Sequence, residues 1–217
     1  AEAITPRTRL VLVCTPNNPT GTTVGAAELE SFLDRVPDDV LVVIDEAYLE
    51  FVTAADTPDA LSVHRARTNV AVLRTFSKIH GLAGLRVGYG IGHPDTIKAL
   101  RPLQMVSPNV PGLAAAAASL GDTEFLRTTG ERLRADRRRL CEACDALGIG
   151  YAPPQGNFVF MKPGMELEAF RAAMKQLGFE VGRPFAPLTD YCRVTVGTTA
   201  ETTAFIQALR QVKGVRS

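Results

Sequence analysis

Residues Arg74–Tyr89, RTFSKIHGLAGLRVGY, directly follow a short apolar run, Asn69–Leu73 (NVAVL). The run has the length and composition of a buried strand. The longer stretch begins with hydroxyl and amine side chains (TFSK) and leads into a second strand-like run, Arg86–Ile91. We therefore predict a strand that ends in a polar loop containing Lys78, followed by a strand that Arg86 opens.

Two more apolar runs lie upstream, at Arg9–Cys14 (RLVLVC) and Val40–Ile44 (VLVVI). Continuous apolar runs of this length are typical of strands that are buried on both faces of a sheet. The segment between them, Ala26–Val36, has apolar residues at helical spacing. Strands that alternate with helices predict an α/β fold with a mostly parallel sheet and flanking helices.

The pattern changes near Pro94, after which helices are predicted at about 95–104, 112–120 and 122–147. A Pro-Pro-Gln-Gly turn at Pro153–Gly156 ends this helical region. The strands and helices predicted after it are Asn157–Met161, Glu166–Leu177, Glu180–Gly182, Cys192–Val196 and Ala200–Val212. We predict that residues 1–121 belong to a large ligand-binding domain, 122–150 form an interdomain helix, and 151–217 form a smaller C-terminal α+β domain.

Composition excludes several classes of function. The chain has 217 residues and a net charge of +1, which provides no electrostatic basis for binding nucleic acid or an anionic membrane. No apolar run approaches the roughly 20 residues that span a bilayer. Four scattered cysteines indicate free thiols in a reducing, cytoplasmic compartment. Cys141 and Cys144 form a C-x-x-C pair, but without a second pair of ligands we predict no zinc site.

Polar clusters follow the predicted strands, where open α/β sheets bind their ligands. These clusters are Asn17–Gly21 (NNPTG), Asp45–Tyr48 (DEAY), Thr75–Lys78 (TFSK) and Arg86. Taken singly, each has an ordinary interpretation as a turn, a helix N-cap or a solvated lysine. Together, an acid, a lysine, a hydroxyl and an arginine form the set needed to hold a phosphorylated pyridine aldehyde. The lysine forms an imine, the acid keeps the ring nitrogen protonated, and the other two bind phosphate.

Four segments also resemble the class I/II, fold-type I aminotransferases, which use pyridoxal 5′-phosphate (PLP), and most of all their histidinol-phosphate branch. The segments are Cys14–Thr22 (CTPNNPTGT), Asp45–Phe51 (DEAYLEF), Arg74–Tyr89 and Cys192–Thr198 (CRVTVGT). They occur in the family's order, and the resemblance extends from about residue 5 to residue 212. It implies the fold-type I PLP-transferase fold, with residues 1–121 as part of the PLP-binding domain.

The resemblance implies roles around the cofactor ring. Asn18 would hydrogen-bond the phenolic O3′ of PLP, Tyr48 would reach the same oxygen, and Asp45 would pair with the pyridine nitrogen. Lys78 would form the Schiff base and move the proton between Cα and C4′. For His80, two residues beyond the lysine, we expect a structural role.

The resemblance also implies contacts to the phosphate and the substrate. The phosphate would be bound by Thr75, Ser77 and Arg86. Arg193 would bind the substrate's α-carboxylate, the alternative being a rim residue paired with Asp190. Asn157 would approach the substrate or simply close a turn. Arg183 would be a second substrate arginine or a solvated loop residue.

The activity implied is a transaminase that moves an amino group between histidinol phosphate or an aromatic amino acid and 2-oxoglutarate. The segment Gly182–Phe185 departs from the sequence expected of the simplest biosynthetic members of this family. The side chain of the substrate that the enzyme accepts therefore stays open. A PLP-dependent decarboxylase of a phosphorylated amino acid is an alternative. Another is a catalytically incompetent fragment that acts as a folding or interaction module.

Family members are longer and carry an upstream segment with the ring-stacking aromatic residue and part of the phosphate site. That segment also supplies a tyrosine that reaches the partner subunit's cofactor. We therefore expect a homodimer, and we expect the printed chain to be a fragment of a longer enzyme.

Overall fold

The structure is a computed structural model that describes residues 1–214. The chain forms two compact units, the first comprising Ala1–Pro16 and Thr23–Leu126 and the second comprising Asn17–Thr22 and the residues from Arg127 onward. The domain bounds inferred from the sequence stay a prediction. The end of the predicted small domain, residues 215–217, lies outside the described residues.

The first unit alternates strands and helices along the chain. Its elements are β1 (Leu10–Cys14), α1 (Ala26–Leu33), β2 (Leu41–Asp45), α2 (Ala60–Ala66), β3 (Val70–Thr75), β4 (Gly88–Ile91), α3 (Pro94–Leu100) and α4 (Val110–Gly121). Short 3-10 turns occupy Leu49–Phe51, Ala83–Leu85 and Arg101–Leu103. Helix α2 was not predicted from the sequence. Asp59 caps it by accepting hydrogen bonds from two backbone amides of its first turn.

The sheet of the first unit has the order β1-β2-β3-β4, in which β1, β2 and β3 are parallel and β4 is antiparallel to β3. The mostly parallel sheet is therefore confirmed. Arg86 does not open β4 as predicted, because it lies in the left-handed region (φ 54°) after a 3-10 turn. Since β4 runs antiparallel, the segment before it still reaches the edge where β1–β3 end, and Gly88 lies opposite Thr75.

One face of this sheet carries the core of the unit. Val42, Ile44, Val70 and Val72 pack there against residues of α1 and α2. On the opposite face, the exposed fractions of Leu10, Leu12 and Leu73 are 52%, 68% and 41%. The prediction that β1 is buried on both faces is therefore wrong for residues 1–214, because α1 and α2 both pack on the same side.

The second unit consists mainly of an antiparallel sheet and three helices. Its elements are α5 (Thr123–Ala146, which begins in the last residues of the first unit), β5 (Gly150–Tyr151), β6 (Phe158–Lys162), α6 (Leu167–Gln176), β7 (Cys192–Thr195) and α7 (Thr199–Val212). The sheet order is β5-β6-β7, and β5 was not predicted. Val159 and Met161 of β6 pack against Phe170, Met174 and Leu209 of the helices. This unit has the α+β architecture that the sequence predicts.

The strand predicted near Glu180–Gly182 is not formed. This segment instead touches β7 through one hydrogen bond, from the Gly182 amide to the Arg193 carbonyl oxygen, 3.1 Å long. Gly182 is required there, because an added Cβ would lie 2.6 Å from that same oxygen. The chain therefore approaches β7 closely at this point without continuing the ladder of hydrogen bonds.

Candidate active site

A cavity of about 590 Å³ opens at the edge of the first unit's sheet where β1–β3 end. Five of the predicted cofactor residues line it: Asp45, Thr75, Ser77, Lys78 and Arg86. The other lining residues are Ala47, Leu73, Arg74, Ala83, Val87, Gly88, Tyr89 and Gly90. One cavity thus brings together a carboxylate, two hydroxyls, an amine and a guanidinium.

Asp45 is the last residue of β2 and is half-buried. Its Oδ1 accepts a hydrogen bond from the Ala47 amide at 2.9 Å, and its backbone oxygen accepts one from Thr15 at 3.0 Å. The carboxylate therefore bonds to the turn that follows the strand, but it is not a helix N-cap, since that position before the 3-10 helix Leu49–Phe51 belongs to Tyr48. That bond fixes the orientation of a side chain that also lines the cavity.

Lys78 lies next to the ring of Tyr48, with its Nζ 5.0 Å from the ring centroid. Tyr48 is buried and Lys78 is half-buried, so this lysine is not a freely solvated side chain. An ammonium group over an aromatic face is attracted to the negative charge of the ring. The contact holds the amine at the cavity and joins the two residues for which the resemblance implies catalytic roles, Lys78 as the Schiff-base lysine and Tyr48 at the phenolic oxygen.

The hydroxyl and guanidinium groups are positioned by local hydrogen bonds. Thr75 Oγ1 accepts from the Ser77 amide at 3.0 Å and donates to the Val87 carbonyl at 3.4 Å. Arg86 is exposed, and its Nη1 donates to the Ala83 carbonyl at 2.9 Å. These donors are of the kind that bind phosphate oxygens.

Glu46 and Arg74 were not predicted from the sequence to have a role. Glu46 directly follows Asp45, and Arg74 directly precedes Thr75 and itself lines the cavity. Arg74 Nε and Nη2 each lie 2.8 Å from Glu46 Oε2, and Glu46 is only 2% exposed. Burial raises the pKa of Glu46, and the hydrogen bond from Arg74 opposes that shift. The sequence contained one signal for this pair, an acidic residue directly after Asp45 and a basic residue directly before Thr75.

In the second unit, Arg193 and Asn18 are in direct contact. Arg193 Nη1 donates to Asn18 Oδ1 at 2.6 Å, and the guanidinium carbon lies 5.2 Å from the centroid of the Phe158 ring. Asp190 pairs instead with Lys162, at 2.6 Å. The alternative in which Arg193 pairs with Asp190 is therefore wrong. Asn18, which was expected to contact the cofactor, therefore lies against Arg193, which was expected to contact the substrate.

The loop that carries Asn18 is attached to the turn before β6. Gly21 has a φ of 79°, and its carbonyl accepts a hydrogen bond from the Gln155 amide at 2.7 Å. A Cβ at Gly21 would lie 3.3 Å from the Cα of Pro154. Gly21 is therefore favoured for two reasons: its positive φ and its close approach to Pro154. The attachment of this loop to the turn places Asn18 within reach of Arg193.

Asn157 and Arg183 make local contacts. The half-buried Asn157 accepts a hydrogen bond from the Val196 amide through its backbone oxygen, at 2.9 Å. Arg183 is exposed, donates to the Pro184 carbonyl at 3.2 Å, and lies 4.8 Å from the centroid of the Phe185 ring. These contacts agree with the turn and loop interpretations, and the substrate roles of both residues stay predictions.

His80 packs inside the first unit. Its ring centroid lies 4.7 Å from that of Phe76, and its Nδ1 is 3.1 Å from Ser119 Oγ. Burial lowers the pKa of His80, which favours the neutral ring. The contacts support the structural role that we expected.

The four cysteines are free thiols. Cys141 and Cys144 lie on α5, and burial raises their pKa values to about 11 and about 12, so both thiols are weakly reactive. Among residues 1–214, no group of three or more His, Cys, Asp or Glu side chains could hold a metal ion. In the same range, no helix is both long and apolar enough to cross a membrane.

The family model for class I and II aminotransferases matches residues 1–209. This chain belongs to that family. Over 216 residues, it is 48% identical to an aromatic amino acid aminotransferase of Streptomyces coelicolor, with 98% of this chain and 59% of the relative covered. It is 45% identical to a histidinol-phosphate aminotransferase of Moorella thermoacetica, with 98% of this chain and 56% of that relative covered. The chain thus spans less than two thirds of the length of these relatives.

Among solved structures, the chain is similar to the Sinorhizobium meliloti histidinol-phosphate aminotransferase in complex with PLP. The TM-score is 0.84 at 30% identity, and the match covers 94% of this chain and 57% of the other. The predicted fold-type I architecture is therefore confirmed.

Proposed function

We propose that this chain carries the cofactor and substrate contacts of a PLP-dependent aminotransferase. The observation that carries the proposal is the cavity lined together by Asp45, Thr75, Ser77, Lys78 and Arg86. Each has the chemistry that its assigned part of PLP requires. A carboxylate suits the ring nitrogen, hydroxyls and a guanidinium suit the phosphate, and a primary amine suits the aldehyde.

The residue types at this cavity fit the chemical groups of the cofactor. Thr75, Ser77 and Arg86 would anchor the phosphate, while Asp45 would keep the ring nitrogen protonated. When bound, PLP withdraws electrons from the amino-bearing carbon of the substrate and acidifies its C–H bond. Lys78, held beside Tyr48, would accept and return the proton of that bond, and Tyr48 would contact the phenolic oxygen.

Arg193, Asn157 and Arg183 would bind the substrate. Arg193 presents a guanidinium that can bind a carboxylate through two parallel hydrogen bonds. Its contact with Asn18 would couple carboxylate binding to the residue assigned to the phenolic oxygen of PLP. Asn157 and Arg183 would contact the remainder of the substrate.

The relatives support a choice between two amino donors. Enzymes named for aromatic amino acids and for histidinol phosphate are 48% and 45% identical to this chain. We propose that the donor is one of these, that 2-oxoglutarate is the acceptor, and that the working protein is a cytoplasmic homodimer. Both donors carry a planar ring, so a site for a flat side chain would serve either.

PLP binding can be tested by absorbance. The protein is titrated with PLP alongside Lys78→Ala and, as a matched control, Lys98→Ala, which removes an exposed lysine of α3. The wild type and Lys98→Ala should develop the band of covalently bound PLP, and Lys78→Ala should not. Absence of the band in the wild type, or its persistence in Lys78→Ala, would contradict the proposal.

The reaction can be tested with a donor panel that includes histidinol phosphate and phenylalanine, with 2-oxoglutarate as acceptor. Glutamate formation that depends on one of these donors would support the proposed function. Release of carbon dioxide from a phosphorylated amino acid included in the panel, without glutamate formation, would instead indicate the decarboxylase alternative. PLP binding without either product would indicate an incompetent fragment.

A further inference from the structure

The ion pair between Glu46 and Arg74 lies at the end of the sheet that carries the cavity. Both Nε and Nη2 of Arg74 are 2.8 Å from Glu46 Oε2. The Glu46 side chain is 2% exposed and that of Arg74 is 22% exposed. A carboxylate this deeply buried requires a paired cation, so the pair is strongly constrained in geometry.

By the alternation of side chains along the strands, the pair is directed to the other face of the sheet from Asp45 and Thr75, although Arg74 also borders the cavity at the end of the sheet. Asp45 is opposite Leu73 in the parallel register of β2 and β3, and the Glu46 amide continues that ladder by donating to the Leu73 carbonyl at 2.9 Å. Because side chains alternate along strands, Glu46 and Arg74 share one face while Asp45 and Thr75 share the other.

Each partner is one peptide bond away from a residue that is expected to contact PLP. Glu46 directly follows Asp45, and Arg74 directly precedes Thr75, which begins the loop that contains Lys78. Arg74 also lies opposite Tyr89 on β4 and interacts with its side chain. Side-chain contacts of the pair therefore connect the C-terminal ends of β2 and β3 with the first residues of β4.

We propose that Glu46 and Arg74 are positioning residues that set the distance between the Asp45 carboxylate and the Lys78 amine. The inference rests on the proposed function, in which these two groups contact the same bound PLP. Loss of the pair would let the end of β2 shift against the end of β3. A displacement of about 1 Å at a reacting centre can reduce the rate roughly 100-fold.

The test compares Glu46→Gln, Arg74→Lys and Arg74→Met with a matched control, Asp136→Asn. Asp136 is also a buried carboxylate paired with an arginine, Arg139 at 2.8 Å, but it lies in the second unit. For each variant, PLP affinity is measured from the absorbance band, kcat and donor KM from transamination, and stability from denaturant unfolding.

We expect Glu46→Gln to weaken PLP binding and to lower kcat by about tenfold or more, with little change in donor KM. Arg74→Lys should recover part of the kcat lost in Arg74→Met, because it retains one charged donor. Asp136→Asn should lose stability but keep the PLP affinity and kcat of the wild type.

Wild-type PLP affinity and kcat in Glu46→Gln would overturn the inference, as would an equal loss of both in Asp136→Asn. Failure of the proposed function has a different signature, because the wild type itself would then show no PLP band.

Discussion

Arg193 donates a hydrogen bond from Nη1 to Asn18 Oδ1 at 2.6 Å, although 175 positions separate the two residues in the chain. The guanidinium also lies over the Phe158 ring, which restricts its orientation. The residue proposed to bind the substrate carboxylate therefore contacts the residue proposed to bind the phenolic oxygen of PLP. A carboxylate that binds Arg193 would change the electrostatic environment of Asn18.

Arg193→Lys should raise the KM for an aromatic amino acid donor and for 2-oxoglutarate, which both carry a carboxylate, about tenfold to 100-fold, because lysine lacks the planar pair of donors and loses charged hydrogen bonds worth about 1.5–3 kcal/mol. Steady-state kinetics at saturating PLP measures the change. Arg210→Lys, an exposed position on α7, is the control and should keep the wild-type KM. An unchanged KM in Arg193→Lys would remove this residue from the substrate site.

Asp45→Asn should lower kcat by roughly 100-fold, because an amide no longer supplies the negative charge that stabilises a protonated ring nitrogen. The fold should survive, since the asparagine side-chain oxygen can still accept the 2.9 Å hydrogen bond from Ala47. Kinetics and a PLP titration measure the effect, with Asp39→Asn as the exposed control. Equal activity of the two variants would refute the assigned role.

Gly182→Ala should destabilise the second unit by about 1–3 kcal/mol and raise the donor KM, because the new Cβ would meet the Arg193 carbonyl oxygen at 2.6 Å. Gly150→Ala in β5 is a matched control, since a Cβ there has no heavy atom within 4 Å among the described residues. Denaturant unfolding and kinetics compare them. Similar behaviour of both variants would show that close packing at Gly182 does not matter.

Stability should fall as the pH rises above about 9. Burial raises the pKa of Cys144 and Cys192 to about 12 from the ordinary thiol value of 9.0, so the unfolded chain releases these protons first. Each thiol should reduce the free energy of unfolding by about 1.4 kcal/mol per pH unit in this range.

Urea unfolding between pH 8 and pH 11 measures this dependence. Cys192→Ala should show a shallower decline, whereas Val194→Ala, which leaves a cavity in the same core without removing a titrating group, should keep the wild-type slope. Identical slopes in all three proteins would contradict the thiol explanation.

The sequence by itself determined the three parallel strands of the first unit and the family. The apolar runs at Arg9–Cys14 and Val40–Ile44 mark β1 and β2 to within one residue, because continuous apolar strands differ sharply from their polar surroundings. The Lys78 segment and the NNPTG loop were recognisable because their functional groups lie close together in the chain. The α2 helix was missed, since a seven-residue helix carries little periodic signal.

Only the tertiary structure decided which distant residues meet. The antiparallel direction of β4 brings Arg86 to the cavity, although the residue itself lies outside the strand. The pairing of Glu46 with Arg74 depends on the register of β2 against β3. The contact between Asn18 and Arg193 depends on the attachment of a loop to a turn far along the chain. Such relationships arise from packing between elements, and local sequence patterns do not encode them.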